Sequence, residues 1–302
     1  MTEPKPYKSG YAAIIGKPNV GKSTLLNRLV SVKIAATSKS PQTTRNKITG
    51  VCHFDEGQMI LLDTPGVHKA TSKFNKLMVK ASLNTYGDVD VIVFVVDAKR
   101  KFCDDDRYVL GTLEKSNVEK ILVLNKIDLV PKEELLPLIQ EMSKLGAFAD
   151  IVPISALKND GMDILVKSLL KRMPEGPRYF PEGTYTDCPE TFLIAEIVRE
   201  KAFRLTRYEV PYSLTVIIEK LEERKDGLMA INATVIVEKD SQKKIVIGYK
   251  GSMLKQIGTS ARYELERRLG CKVFLSLFVK VKPNWRESDY CLKEFGYGHD
   301  SY

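Results

Sequence analysis

Gly16-Lys17-Pro18-Asn19-Val20-Gly21-Lys22-Ser23 is the stretch on which the reading of this chain turns. It fits G-x-x-x-x-G-K-[ST], a loop whose glycines let backbone N–H groups converge on phosphate oxygens at the start of a helix. In such a loop Lys22 reaches the β and γ phosphates and Ser23 holds Mg²⁺. Gly16, Asn19, Val20, Gly21 and Thr24 complete the cradle. The flanks agree, because Tyr11 to Ile15 is a short apolar run of strand type and Ser23 to Val30 has helical spacing. Farther on, the apolar run Ile121 to Leu124 ends in Asn125-Lys126-Ile127-Asp128, at the carboxyl end of a strand, where open α/β sheets bind ligands. An ionised carboxylate only accepts hydrogen bonds, so Asp128 can pair with the ring N–H and exocyclic amine of guanine together. Adenine presents no such pair. A site left with unpaired polar groups rejects the wrong ligand by roughly 10⁴-fold. The two stretches together predict a guanine-nucleotide site, with GTP as substrate and GDP as product.

The remaining parts arrive in the order such a site needs. Met59 to Asp63 is a strand ending in a carboxylate, followed by Thr64-Pro65-Gly66. Asp63 suits a Mg²⁺ partner, and the Gly66 N–H can meet the γ phosphate. Thr44, in the polar stretch from Thr37 to Lys47, offers a hydroxyl that completes a metal set of Ser23, Thr44 and Asp63. Ile151 to Ile154 leads into Ser155-Ala156, whose backbone N–H groups fall near the base. Many GTPases place a glutamine directly after this glycine to orient the attacking water, whereas this chain has Val67. Slow intrinsic turnover is expected, resting on positioning by Lys22 and Thr44 and on the cations around the phosphates.

These segments resemble the translation-factor class of P-loop GTPases over residues 8 to 174. The resemblance sharpens at Gly16 to Asn27, at Pro41-Gln42-Thr43-Thr44-Arg45 and at Asp63 to Gly66, which are similar to the Era family of ribosome-assembly GTPases. Families of this kind use the asparagine corresponding to Asn19, with carbonyls of the 37–44 loop, to hold K⁺ beside the phosphates. Two readings of Asn19 therefore stand: a K⁺ ligand, or a residue that only shapes the loop.

At 302 residues, with 43% hydrophobic and 28% charged residues, the chain is long enough for two globular domains. No apolar run approaches the roughly 18 residues that a bilayer span needs, and the N-terminus lacks the apolar core of a signal peptide. A cytoplasmic location is expected. The five cysteines are odd in number and widely spaced, which supports neither a disulfide framework nor a zinc site; His53, His68 and His299 are isolated. Pro174, Pro177, Pro181 and Pro189, with Gly176 and Gly183, break any helix or central strand. This places a Pro-rich linker at 175–190. Before it, strands and helices alternate as in a doubly wound, mostly parallel α/β sheet, with one hairpin over Cys52 to Asp63. Asp104-Asp105-Asp106 reads as a helix start.

After the linker, residues 191–282 read helix, strand (Tyr212 to Glu219), strand, then Lys243-Lys244-Ile245-Val246-Ile247-Gly248-Tyr249-Lys250-Gly251, a long helix and a closing strand. Periodicity leaves Lys243 to Ile247 open between a strand and a helical turn. The α+β order and the Ile-Gly-x-x-Gly loop resemble a type II KH domain, which favours the turn. Such a loop clamps about four nucleotides of single-stranded RNA by close backbone approach. The candidate RNA contacts are Lys243, Lys244, Ile247, Gly248, Tyr249, Lys250, Gly251 and Lys255. Eleven basic and three acidic residues fall within 239–282, so positive charge is concentrated around that loop, as an electrostatic footprint for nucleic acid should be.

One G domain, a Pro-rich linker, one KH-like domain and a tail (283–302) containing Trp285, Leu292, Phe295 and Tyr297 match the Era arrangement. The resemblance implies binding to the small ribosomal subunit and the 3′ end of its RNA, and a role in maturation of that subunit. The rival reading is an RNA-binding adaptor with a structural nucleotide. Peripheral membrane association is the weakest of the partner readings, since no helix pairs a strongly apolar stripe with a basic one; a monomer is expected.

Overall fold

The computed structural model describes residues 6–38, 43–67, 73–84 and 87–297. Pro41, Gln42, His68, His299 and the centres of the loops expected over 37–44 and 64–73 lie outside the described residues. Contacts divide the chain into two units, with the main division between Asp187 and Cys188.

In the first unit the chain runs β1 (Lys8–Ile15), α1 (Lys22–Val30), β2 (Ile48–Phe54), β3 (Gly57–Asp63), α2 (Lys73–Asn84), β4 (Val91–Asp97), α3 (Asp104–Leu113), β5 (Glu119–Asn125), α4 (Lys132–Met142), β6 (Asp150–Ile154) and α5 (Met162–Arg172). The strands lie in the order β2-β3-β1-β4-β5-β6. All neighbours are parallel except β2 and β3, which pair antiparallel from Ile48 opposite Asp63 to Phe54 opposite Gly57. A strand covered on both faces reads as a continuous apolar run. Thus every residue of β4 is buried, and β1, β4 and β5 end at the same edge, where the ligand-binding loops begin.

The stretch expected as a linker is in good part attached to this unit. Val51 N–H donates to the Tyr185 carbonyl at 3.0 Å, Thr186 Oγ1 donates to the Thr49 carbonyl at 2.6 Å, and His53 Nε2 meets the Thr184 carbonyl at 2.7 Å. Residues 184–186 thereby cover the open edge of β2, a position that would otherwise offer unpaired backbone groups to other chains.

The second unit runs α6 (Glu190–Leu205), α7 (Val210–Ser213), β7 (Thr215–Glu223), β8 (Met229–Val237), α8 (Asp240–Ile247), α9 (Ser252–Leu269), β9 (Val273–Val281) and α10 (Asp289–Glu294). Its sheet has the order β7-β8-β9, with β7 and β8 antiparallel and β8 and β9 parallel. The first strand begins at Thr215 rather than Tyr212, because Pro211 sits in the first turn of α7, where a missing N–H costs nothing. The open choice at 243–247 resolves as helix, starting at Asp240. Its signal was Gln242, whose Oε1 accepts from the N–H groups of Glu238 and Lys239 at 3.0 and 3.1 Å. Residues 283–297 pack into this unit rather than hanging from it: Trp285 is fully buried and its indole N–H donates to the Ser213 carbonyl at 2.9 Å.

Candidate nucleotide site and RNA-binding loop

The turn from β1 into α1 carries the first site. Gly21 adopts φ 102°, and a Cβ there would meet Asn125 Nδ2 at 2.3 Å. Only glycine fits, and the space it vacates admits the Asn125 amide, whose Nδ2 donates to the Val20 carbonyl at 2.8 Å while its Oδ1 accepts from Lys126 N and Ala156 N at 2.8 and 3.1 Å. One side chain thus ties the phosphate loop to both candidate base-binding segments. Lys126 adds a second tie, donating to the Asn19 carbonyl at 2.6 Å and to Asp97 Oδ2 at 2.7 Å. Asp128 is exposed, and its Oδ1 accepts from Ser155 Oγ at 2.6 Å. This holds the carboxylate at the edge from which a base would approach.

Lys22 is buried, with its ammonium on the carbonyls of Gly16 and Lys17, each at 3.0 Å. Burial lowers its pKa to about 8, partly countered by the charge of Asp63. Asp63 is buried as well, and desolvation lifts its carboxyl to about 6 against the pull of Lys22, Ser23, Thr44 and the Thr64 backbone. Ser23 Oγ lies 2.7 Å from Asp63 Oδ2 and 2.6 Å from Thr44 Oγ1, and Thr44 Oγ1 donates to the same carboxylate oxygen at 3.3 Å. The other oxygen, Asp63 Oδ1, is buried with no hydrogen-bond partner among the described residues. Two hydroxyls and a carboxylate with an orphaned oxygen fit Mg²⁺, a hard cation that takes few protein oxygens and completes its shell with phosphate and water. Gly66 packs against the loop, a Cβ there falling 2.7 Å from the Pro18 backbone nitrogen. Val67 is fully buried in the core, so its side chain cannot face the γ phosphate. Thr24 and Asn19 are half-buried beside these groups.

The second site lies in the other unit. Gly248 has φ 73°, and a Cβ there would strike Met253 Cβ at 2.6 Å; the protein itself demands this glycine. At Gly251, φ 78°, a Cβ would meet nothing within 4 Å. The vacant space outside it is where a phosphate could come close. Tyr249 and Lys250 stand exposed between them, the ammonium 5.5 Å from the ring centroid. Lys244 and Lys255 are exposed, while Lys243 and Ile247 are half-buried. A groove of about 430 Å³ opens beside the loop, lined by Gly251, Leu254, Lys255, Arg262, Phe274 and Leu277 among others. Lys280 and Lys282, counted in the same basic stretch, are partly neutralised, at 3.2 Å from Glu219 and 3.9 Å from Glu294.

A family model described as 50S ribosome-binding GTPase matches residues 11–126, and one described as KH domain matches residues 209–286. GTPase Era of Geotalea uraniireducens (strain Rf4) is 52% identical over 98% of this chain and all of its own length. The GTPase Era of Ruminiclostridium cellulolyticum is 49% identical over 96% of this chain and 98% of its own. The chain belongs to the Era family of GTPases. Among solved structures, Era in complex with MgGDPNP and nucleotides 1506–1542 of 16S ribosomal RNA superposes with a TM-score of 0.94 at 43% identity, covering 97% of this chain and 99% of that one. An Aquifex aeolicus Era variant bound to GDP·AlF4⁻ gives 0.93 at 43% identity, covering 96% and 99%. The chain is accordingly a GTPase with a mostly parallel P-loop domain and a C-terminal KH domain.

Sequence reasoning missed two carboxylates that hold lysines of the candidate nucleotide site in place. Asp97 holds Lys126, and its signal was register: it ends β4 directly opposite Asn125 of β5. Asp106 holds Lys17 at 2.5 Å. From the sequence it reads only as part of a helix start.

Proposed function

We propose that this chain binds Mg²⁺ and GTP through Gly16, Asn19, Val20, Gly21, Lys22, Ser23, Thr24, Asp63, Gly66, Asn125, Lys126, Asp128, Ser155 and Ala156. Hydrolysis to GDP and phosphate then changes its hold on 16S ribosomal RNA during assembly of the small ribosomal subunit. The relative solved with a 16S fragment and MgGDPNP supports this reading. The observation that carries it is the meeting of Ser23, Thr44 and Asp63 around an orphaned carboxylate oxygen. When bound, Mg²⁺ would neutralise charge on the β and γ oxygens. Lys22 moves from its carbonyls to the phosphates, Asp128 reads guanine, and Thr44 closes over the metal side of the site. Asn19 would help hold K⁺, a second cation that would neutralise charge on the phosphate oxygens in a chain without the water-orienting glutamine. RNA is gripped at Lys243, Lys244, Ile247, Gly248, Tyr249, Lys250, Gly251 and Lys255. The protein works as a cytoplasmic monomer.

Affinity for the RNA's 3′ segment, measured at fixed salt with GDPNP, with GDP and without nucleotide, tests this reading. Different affinities in the three states are expected; one affinity in all three would leave the nucleotide as a structural ligand of an RNA adaptor.

A further inference from the structure

The buried charge at the start of α3 is not used by its own helix alone. Asp106 is completely buried. Its Oδ2 accepts from Lys17 Nζ at 2.5 Å and from the Cys103 N–H at 3.1 Å, while Oδ1 has no partner among the described residues. An N-terminal carboxylate that served only the helix would stay in solvent, as its neighbours Asp104 and Asp105 do. Burying it requires a counter-charge, and Lys17, itself buried, supplies one from inside the phosphate loop. Burial works against the Lys17 ammonium, yet the hydrogen bonds it donates to Asp106 and Cys103 hold its pKa above the usual lysine value. Lys17 also bears one of the two carbonyls on which Lys22 rests.

We propose that Asp106 is a positioning residue of the nucleotide site, clamping Lys17 so that the first half of the phosphate loop stays open, with Lys22 poised, before any phosphate arrives. The clamp matters most in the free protein. Bound phosphates organise the loop by themselves, so the chemical step at saturation depends little on it. If losing the clamp leaves the competent loop in about a tenth of free molecules, Kd for GDP and GTP rises about tenfold. This inference rests on Gly16 to Ser23 being the phosphate loop.

The test is GDP titration and saturating GTP turnover of full-length Asp106→Asn and Lys17→Met, beside Lys22→Ala and the double variant Lys17→Met/Asp106→Leu. The single variants should bind GDP about tenfold more weakly with kcat kept, and should melt early because each strands a buried polar partner. In the double variant, where no charge is stranded, the melting temperature should return towards the parent's while Kd stays raised. A Kd that recovers with the melting temperature, or a parental Kd in Asp106→Asn, would reduce the pair to a stability element and overturn the clamp. Parental GDP binding by Lys22→Ala would overturn the phosphate-loop reading itself, and the clamp with it.

Discussion

The two glycine loops of this chain are built on opposite terms. Around Gly16 to Ser23 the side chains are tied down: Asn125 and Lys126 reach the loop from the end of β5 and Asp106 reaches it from α3, while Lys22 rests on the loop's own carbonyls. Around Gly248 to Gly251 the side chains point outward, Tyr249 at 80% exposure, and the space beside Gly251 is open. A preorganised loop gives up little on binding and can discriminate by unpaired groups. An open loop set in positive charge accepts any polyanion of the right shape, and its affinity follows salt. Substitutions at the first should therefore change which ligand is chosen, and those at the second mainly how tightly any is held.

The sharpest way to break this contrast is Asp128→Asn. The amide can donate to a carbonyl at position 2 of the base where the carboxylate only accepts, so preference should move from guanosine to xanthosine triphosphate. GTP affinity should fall by about 10³- to 10⁴-fold. Parallel titration with both nucleotides reads it, and GTP binding at the parental level would remove Asp128 from base recognition. Its bond from Ser155 Oγ survives in Asn, so stability should change by about 0.5 kcal/mol or less.

At the open loop, replacing Tyr249 and Lys250 with Asp should lower RNA affinity by about a hundredfold or more, while GTP turnover without RNA is unchanged. In the parent, with about four phosphate contacts and a single-strand slope near 0.7 for each, RNA affinity should fall a few hundredfold for each tenfold rise in salt. Filter binding across a salt series measures both. Salt-independent RNA affinity would mean that the open loop is not where RNA is held.

The pKa values sharpen the tied-down side. If Asp63 serves Mg²⁺ as proposed, the metal needs it ionised, and burial holds that carboxyl up at about 6 in the free protein. Below pH 6 a proton competes with the metal, so Mg²⁺-dependent GTP affinity should drop up to about tenfold per unit. Lys22, held down at about 8, loses its charge above that pH, and affinity should fall again. A plateau between pH 6 and 8 is expected in titrations with fluorescent GTP. Chelating Mg²⁺ should abolish the acid limb only, and an acid limb that survives chelation would belong to another group.

How much of this was legible in the sequence follows the same contrast. Lys22, Ser23, Asp63 and Asp128 could be proposed from the motifs because phosphate, metal and base each dictate a residue type at a fixed spacing. The doubly wound sheet was readable for a similar reason, since its buried strands are unbroken apolar runs. Asp97, Asp106 and Gln58 were not, because their partners are far away in sequence. Gln58, for instance, accepts from the N–H groups of Tyr179 and Phe180 at 2.9 Å each. Prolines in 175–190 argue against a helix or central strand, but could not say that residues 184–186 would bond along β2. The start of α8 was missed because no Ser, Thr, Asp or Asn precedes it; Gln242 reaches back instead and accepts from the Glu238 and Lys239 N–H groups.

The smallest expected effect concerns Asn19, where the tied-down loop meets a residue whose role the motif leaves open. Its backbone is left-handed at φ 66° and its carbonyl is held by Lys126, so the residue is fixed whatever its side chain does. With Val67 buried in the core, the chain has no side chain directly after Gly66 to steer the attacking water. Charge on the β and γ oxygens must then be met by Lys22, Mg²⁺ and any further cation. If Asn19 helps to hold K⁺ there, GTP turnover should run roughly tenfold faster in KCl than in NaCl at equal ionic strength, a difference of about 1.4 kcal/mol in barrier. Asn19→Ala should bring the two salts together at the slower rate while leaving GDP affinity within a few-fold. Single-turnover assays in both salts on both proteins give the four rates. Equal rates in the parent, or a K⁺ advantage that survives Asn19→Ala, would make Asn19 a residue of loop shape alone.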